Sequence, residues 1–137
     1  NAFKFTVVRN PYDQILSWYF WIQKTGGKEF RSSFDVFVQR KGREFFESNK
    51  VVFVENDQSL VDEMLRYESL QSDLSDLSRR LRLPENVGDV YSKINANRSA
   101  RGGRGYDLID PKSQEAILES ADFFFEKCGY SKDIPKK

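Results

Sequence analysis

Arg9 and Ser17, eight residues apart, are the side chains whose type and spacing point most directly to chemistry, and that chemistry is the binding of a phosphate. Arg9 follows the β-rich run Ala2-Phe3-Lys4-Phe5-Thr6-Val7-Val8 and stands just before Asn10-Pro11. Asn10 is a good N-cap, and proline is best tolerated at the first helical position. A helix N-terminus gathers unpaired N–H groups and a partial positive charge, which attract anions. Arginine adds a planar fork of donors suited to phosphate. Ser17 falls seven residues after Asn10, two turns along the same helical face, so a guanidinium and a hydroxyl can converge on one anion. The same residues also suit a plain capped helix with Arg9 in water and Ser17 on a helix face. A second group of arginines, Arg98, Arg101 and Arg104, is interleaved with glycine. It reads either as a basic lid or as a solvated loop.

Other chemistries lack their residues. The sequence has no histidine and one cysteine, Cys128, which excludes the usual zinc ligand sets and an internal disulfide. Twenty-two basic and twenty-one acidic residues among 137 leave a net charge of +1, which excludes a strongly basic nucleic-acid binder. No apolar run approaches the roughly 20 residues needed to cross a bilayer. Glu68 and Asp73 are read as cap and dipole partners of a helix start rather than as catalysts.

The elements that must position Arg9 and Ser17 are a strand, a tight turn and a helix. The run 2–8 is expected to be a buried strand. Tyr12, Ile15, Leu16, Tyr19, Phe20 and Ile22 follow helical spacing until Thr25-Gly26-Gly27. Phe34, Phe37 and Val38 predict a second helix ending near Lys41-Gly42. Val51 to Val54 predict a strand before an Asn56-Asp57 turn, and 60–68 a returning strand in preference to a short helix. Leu70, Leu74, Leu77 and Leu81 predict a helix closed by Pro84. Residues 85–106 predict a long glycine-containing loop, and Asp110-Pro111 the start of a final helix running to Gly129. With twelve phenylalanines the core is expected to be rich in aromatic rings, with Trp18 and Trp21 in the core or on a partner-facing surface. The predicted class is α/β, a single domain with a small, mostly parallel sheet flanked by helices.

The segment Phe5-Thr6-Val7-Val8-Arg9-Asn10-Pro11 through Ser17-Trp18-Tyr19 resembles the 3′-phosphate-binding motif of the sulfotransferase superfamily: a strand ending in Arg-(Asn/Asp)-Pro, then Ser eight residues after the Arg, then an aromatic. Val61 to Leu74 is similar to the family's Arg-(Tyr/Phe)-Glu segment. Asn97-Arg98-Ser99 and Phe123 to Tyr130, with Asp122, resemble its Asn-x-Ser loop and terminal Phe-Gly-Tyr-like ending. The three blocks stand in family order across almost the whole chain and are most like Golgi-type and bacterial carbohydrate sulfotransferases. Gln14 departs from the pattern, since many of those enzymes have Arg there.

The resemblance implies a P-loop-NTPase-like sulfotransferase fold, present in part. It also implies 3′-phosphoadenosine-5′-phosphosulfate (PAPS) as co-substrate, without a metal, and a hydroxyl acceptor, most simply a carbohydrate. Arg9 and Ser17 fall on the 3′-phosphate positions, and Arg98, Arg101 and Arg104 on a loop that covers the nucleotide. The family's Lys-bearing loop for the 5′-phosphosulfate and its His or Glu base precede this motif; neither is found here, and Thr25-Gly26-Gly27-Lys28 follows a helix rather than a strand. The resemblance therefore covers the C-terminal portion of such an enzyme. The alternative expectation is a catalytically incomplete remnant serving as a binding or assembly module, with a homodimer through an exposed strand edge. A P-loop kinase relative would need a Walker A run that the sequence lacks. A bacterial parent would place the protein in the cytoplasm, a eukaryotic type II membrane parent in the Golgi lumen.

Overall fold

The computed structural model describes residues 2–26, 31–94 and 104–136. Strand β1 (Phe5–Val8) leads through Arg9 and Asn10 into helix α1 (Pro11–Thr25). Helix α2 (Phe34–Lys50) follows, then a two-residue hairpin of β2 (Val54–Glu55) and β3 (Gln58–Ser59), and strand β4 (Glu63–Arg66). A 3₁₀ turn, Tyr67–Ser69, opens α3 (Leu70–Arg80), and α4 (Val87–Ile94) packs against it. A second 3₁₀ turn (Tyr106–Leu108), α5 (Pro111–Ser120) and α6 (Asp122–Glu126) complete the described chain.

β1 and β4 pair in parallel, in the register Phe5↔Glu63 to Val8↔Arg66, so both strands end at one edge of the molecule. The hairpin is antiparallel and separate from this sheet. The class is thus mixed α/β, helix-rich, with a two-stranded parallel sheet flanked by helices.

The main core lies on one face of the sheet. Tyr12, Ile15 and Leu16 of α1 meet Phe37, Val38 and Phe46 of α2, and Ile117, Phe124 and Phe125 of the C-terminal helices close it. Each such side chain contributes about 1.5–3 kcal/mol of burial free energy against its lost conformational entropy. Trp18 joins this core, stacked on Phe45 at 4.6 Å between centroids, whereas Trp21 is exposed. On the other face a smaller cluster, Leu65 of β4 with Leu74 and Leu77 of α3, covers the β4 half of the sheet.

Several local expectations are corrected. The strand predicted as buried keeps only Val8 in the core, while Phe3, Phe5 and Val7 are 40%, 44% and 41% exposed. A strand with one neighbour and one covered face can hide only alternate residues. The predicted end of α2 at Gly42 is overridden, since the helix runs on to Lys50; Val51 to Phe53 form a turn, and of the predicted 51–54 strand only Val54 is extended, in β2. A mid-helix glycine costs about 1 kcal/mol, less than burying Phe46 returns. Within the predicted loop 85–106 lies α4, whose Gly88 backbone presses on α3 so closely that Ser75 Oγ and the Gln71 carbonyl occupy the place of a Cβ. The final helix breaks at Ala121 into α5 and α6. The returning strand expected over 60–68 is present as β4, but it pairs with β1, while β2 turns back onto β3.

Candidate functional site

The carboxyl ends of β1 and β4 lie side by side, and each is followed by a helix start. In open α/β sheets ligands sit at this edge. Asn10 caps α1 through its side chain, which accepts from Tyr12 N at 3.0 Å. Asn10 N donates to Glu68 Oε2 at 3.3 Å, so a carboxylate from the β4 end is seated at the start of α1. Asp73 plays the matching part for α3, accepting from Arg66 N at 2.9 Å and from the Ser69 hydroxyl. Both acids are occupied in joining strand ends to helix starts. The protein itself therefore serves much of the α1 N-terminus, and side chains carry the capacity for a further anion.

Arg9 is half-buried, and its guanidinium lies over the Tyr67 ring, 4.5 Å from the centroid. Among the described residues no hydrogen bond or ion pair engages that guanidinium. Tyr67 and Glu68 line an open groove of about 520 Å³ that runs along the start of α3 past Ser69, Leu70 and Ser72 to Tyr91 of α4. On its other side Arg9 borders a cleft of about 270 Å³ between β1, Gln14, Asn49 and Phe53. Gln14, at the position where the resemblance has arginine, is committed at both ends: Nε2 donates to the Arg9 carbonyl at 2.6 Å and Oε1 accepts from Asn49 at 3.2 Å.

Ser17 borders neither cleft. Its hydroxyl is buried without a hydrogen-bond partner. Arg104 is exposed, and two residues further on Tyr106 donates to Asp13 Oδ1 at 2.6 Å, joining that part of the chain to the first turn of α1. Arg98 and Arg101 lie outside the described residues.

The neighbouring arginine, Arg66, is engaged. Its guanidinium sits 4.6 Å from the Tyr130 ring centroid and donates to the Cys128 carbonyl at 2.8 Å. Tyr130 donates to the Val8 carbonyl at 3.1 Å, tying the end of the chain to the end of β1. Burial pushes the Tyr130 hydroxyl far above the ordinary tyrosine range; the Glu68 carboxylate adds to the shift and Arg66 opposes it. Burial also raises the Cys128 thiol, with Arg66 acting against, so it stays protonated at neutral pH and is a poor nucleophile.

Tyr67, Tyr91 and Tyr130 belong to this region but were not singled out from the sequence. Tyr67 carries the clearest signal, since it stands inside the Arg66-Tyr67-Glu68 run. Among the described residues no cluster of His, Cys, Asp or Glu is suited to hold a metal ion, and no helix is long and apolar enough to cross a membrane. No protein-family description, curated protein or solved structure matches this chain.

Proposed function

We propose that this chain carries the 3′-phosphate-binding half of a PAPS-dependent sulfotransferase whose acceptor is a hydroxyl, most simply on a carbohydrate. The observation that carries the reading is the uncommitted Arg9 guanidinium at the carboxyl end of a parallel strand, beside an aromatic-lined groove. A half-buried guanidinium that no described residue engages in an ion pair or hydrogen bond has donors to offer, and a phosphate dianion takes two parallel charge-assisted hydrogen bonds from it. Ser17 lies on the same helix but borders neither cleft, so Arg9 carries the reading. The groove beyond Tyr67 is within the usual size of a small-molecule site and offers two tyrosine rings and several hydroxyls to a nucleoside. Arg104, with Arg98 and Arg101 before it in sequence, would add positive charge over the ligand.

Sulfuryl transfer further requires cations around the sulfate and a base at the acceptor hydroxyl. The sequence holds neither the Lys-bearing phosphate loop nor a histidine, so this chain accounts for nucleotide recognition rather than for the transfer step. A second reading, as a catalytically incomplete binding or assembly module, is favoured by the outer edge of β1, which no described strand covers.

Calorimetric titration with 3′-phosphoadenosine-5′-phosphate tests the first reading. Micromolar binding that is lost with 5′-AMP, which lacks the 3′-phosphate, and lost in Arg9→Ala supports it. A folded protein that binds both nucleotides equally, or neither, overturns it.

A further inference from the structure

At the carboxyl end of β4 the chain is fastened on both sides of Tyr67. Before it, Arg66 N donates to the Asp73 carboxylate at 2.9 Å; after it, the Glu68 carboxylate accepts from Asn10 N at 3.3 Å, at the start of α1. Between these two ties the 3₁₀ turn closes as Leu70 N donates to the Tyr67 carbonyl. The backbone that carries Tyr67 is thus tied directly to the residue after Arg9, and the ring lies against the Arg9 guanidinium, 4.5 Å from its centroid. The ring is not spent on packing elsewhere. Tyr67 enters neither hydrophobic cluster and no ring pair among the described residues, and it is 36% exposed.

We propose that Tyr67 is a positioning residue for phosphate recognition, its ring orienting the Arg9 guanidinium before a ligand arrives. This role presupposes the nucleotide reading and adds to it a residue that acts through Arg9. An arginine side chain has many rotamers, and ordering it at the moment of binding weakens affinity. Held beforehand, its fork of donors meets the phosphate already aimed. A carboxylate could hold the guanidinium as well, but it would occupy the same donors and offset the charge that attracts the ligand. A ring face attracts the cation through its quadrupole and neutralises none of that charge. The Arg66–Tyr130 contact lacks this property, since Arg66 also donates to the Cys128 carbonyl.

A double-mutant cycle of Arg9→Ala and Tyr67→Leu, read by calorimetric titration of the intact chain with 3′-phosphoadenosine-5′-phosphate, tests the proposal. Tyr67→Leu should weaken binding about three- to tenfold, the range for one long side chain that must now be ordered on binding. Tyr67→Phe, which keeps the ring, should return the affinity to that of the parent. In the Arg9→Ala background, titrated to millimolar nucleotide, Tyr67→Leu should cost no more than about twofold. Because Tyr67 also lines the groove, this last comparison separates orienting Arg9 from touching the nucleoside. In the free protein the Arg9 Nε–H proton resonance should be shifted upfield by the ring and should move to the random-coil position in Tyr67→Leu, with helical circular dichroism unchanged. Where Arg9→Ala leaves no binding to measure, that resonance decides. Unchanged affinity in Tyr67→Leu, an equal loss in both backgrounds, or a random-coil Arg9 resonance in the parent overturns the proposal and leaves the nucleotide reading standing. No binding by the folded parent, or Arg9→Ala that binds as the parent does, ends that reading and this role with it.

Discussion

Arg9 and Arg66 stand at the ends of adjacent parallel strands, and each lies over a tyrosine ring at nearly the same distance, 4.5 and 4.6 Å. Their circumstances differ in one respect. Arg66 also donates to the Cys128 carbonyl, and its ring partner Tyr130 is buried and bonded to Val8, so this arginine fastens the last residues of the described chain to the sheet. Arg9 has only the exposed Tyr67 ring and keeps its donors. Two residues of one type in matching positions thus divide into a structural clasp and an available cation. The partners brought by the rest of the chain make the difference, not the strand ends themselves.

The largest expected effect separates the two in binding. Arg9→Ala should weaken 3′-phosphoadenosine-5′-phosphate about 10–100-fold, the value of a charge-assisted hydrogen bond worth roughly 1.5–3 kcal/mol, while thermal unfolding stays within a degree or two of the parent. Arg66→Ala should do the reverse. It loses a cation–π contact and one hydrogen bond at an exposed site, worth about 1 kcal/mol together, and a melting temperature lowered by several degrees would register it. Equal effects of the two substitutions on binding would erase the distinction.

A smaller effect follows from the titration of Tyr130. Its hydroxyl is held neutral in the folded state above the ordinary value of 10.0, chiefly by burial. A group with a raised folded-state pKa gives stability that is complete below the unfolded value and is lost as pH rises above it. Denaturant midpoints should therefore fall as pH climbs beyond about 10. Tyr130→Phe should flatten part of that decline, at a cost of about 1 kcal/mol at neutral pH for the lost bond to Val8. Tyr12 and Tyr19, also raised mainly by burial, account for the remainder. An unchanged alkaline slope in Tyr130→Phe would detach this residue from the clasp.

The smallest expected effect concerns Glu68, whose carboxylate lies at the start of α1 beside Arg9. Removing its charge in Glu68→Gln leaves an acceptor for Asn10 N but relieves repulsion of an incoming phosphate. Nucleotide affinity should rise a few-fold, most clearly at low salt. Weaker binding in this variant would show that the acid orients the site rather than tempering it.

Much of the Arg9 region was legible from residue order because its determinants are local. Asn10 caps α1 and Pro11 stands at its first turn, as their types predict, and Asp110 does the same for α5 by accepting from Ser113 N at 2.7 Å. The leucine stripe marked α3. The misreadings arose where distant contacts outweighed local preference. Gly42 did not stop α2, because the helix is held between α1 and α5. α4 was overlooked because Val87, Val90, Tyr91 and Ile94 carry a short helical stripe diluted by surrounding polar residues, and its packing on α3 through Gly88 leaves no trace in composition. The groove beside Tyr67 depends on that helix, so it was invisible as well.

By itself the sequence determined the strand, turn and helix that present Arg9, the starts of α3 and α5, and the supply of aromatic side chains for the core; capping, proline geometry and helical periodicity act over a few residues. Only the tertiary structure decided that β1 pairs in parallel with a strand 58 residues away, that Glu68 reaches the start of α1, and that Arg66 is engaged while Arg9 is not. Those outcomes depend on which side chains from remote segments arrive at one edge of the sheet, and residue order along a single element does not record that.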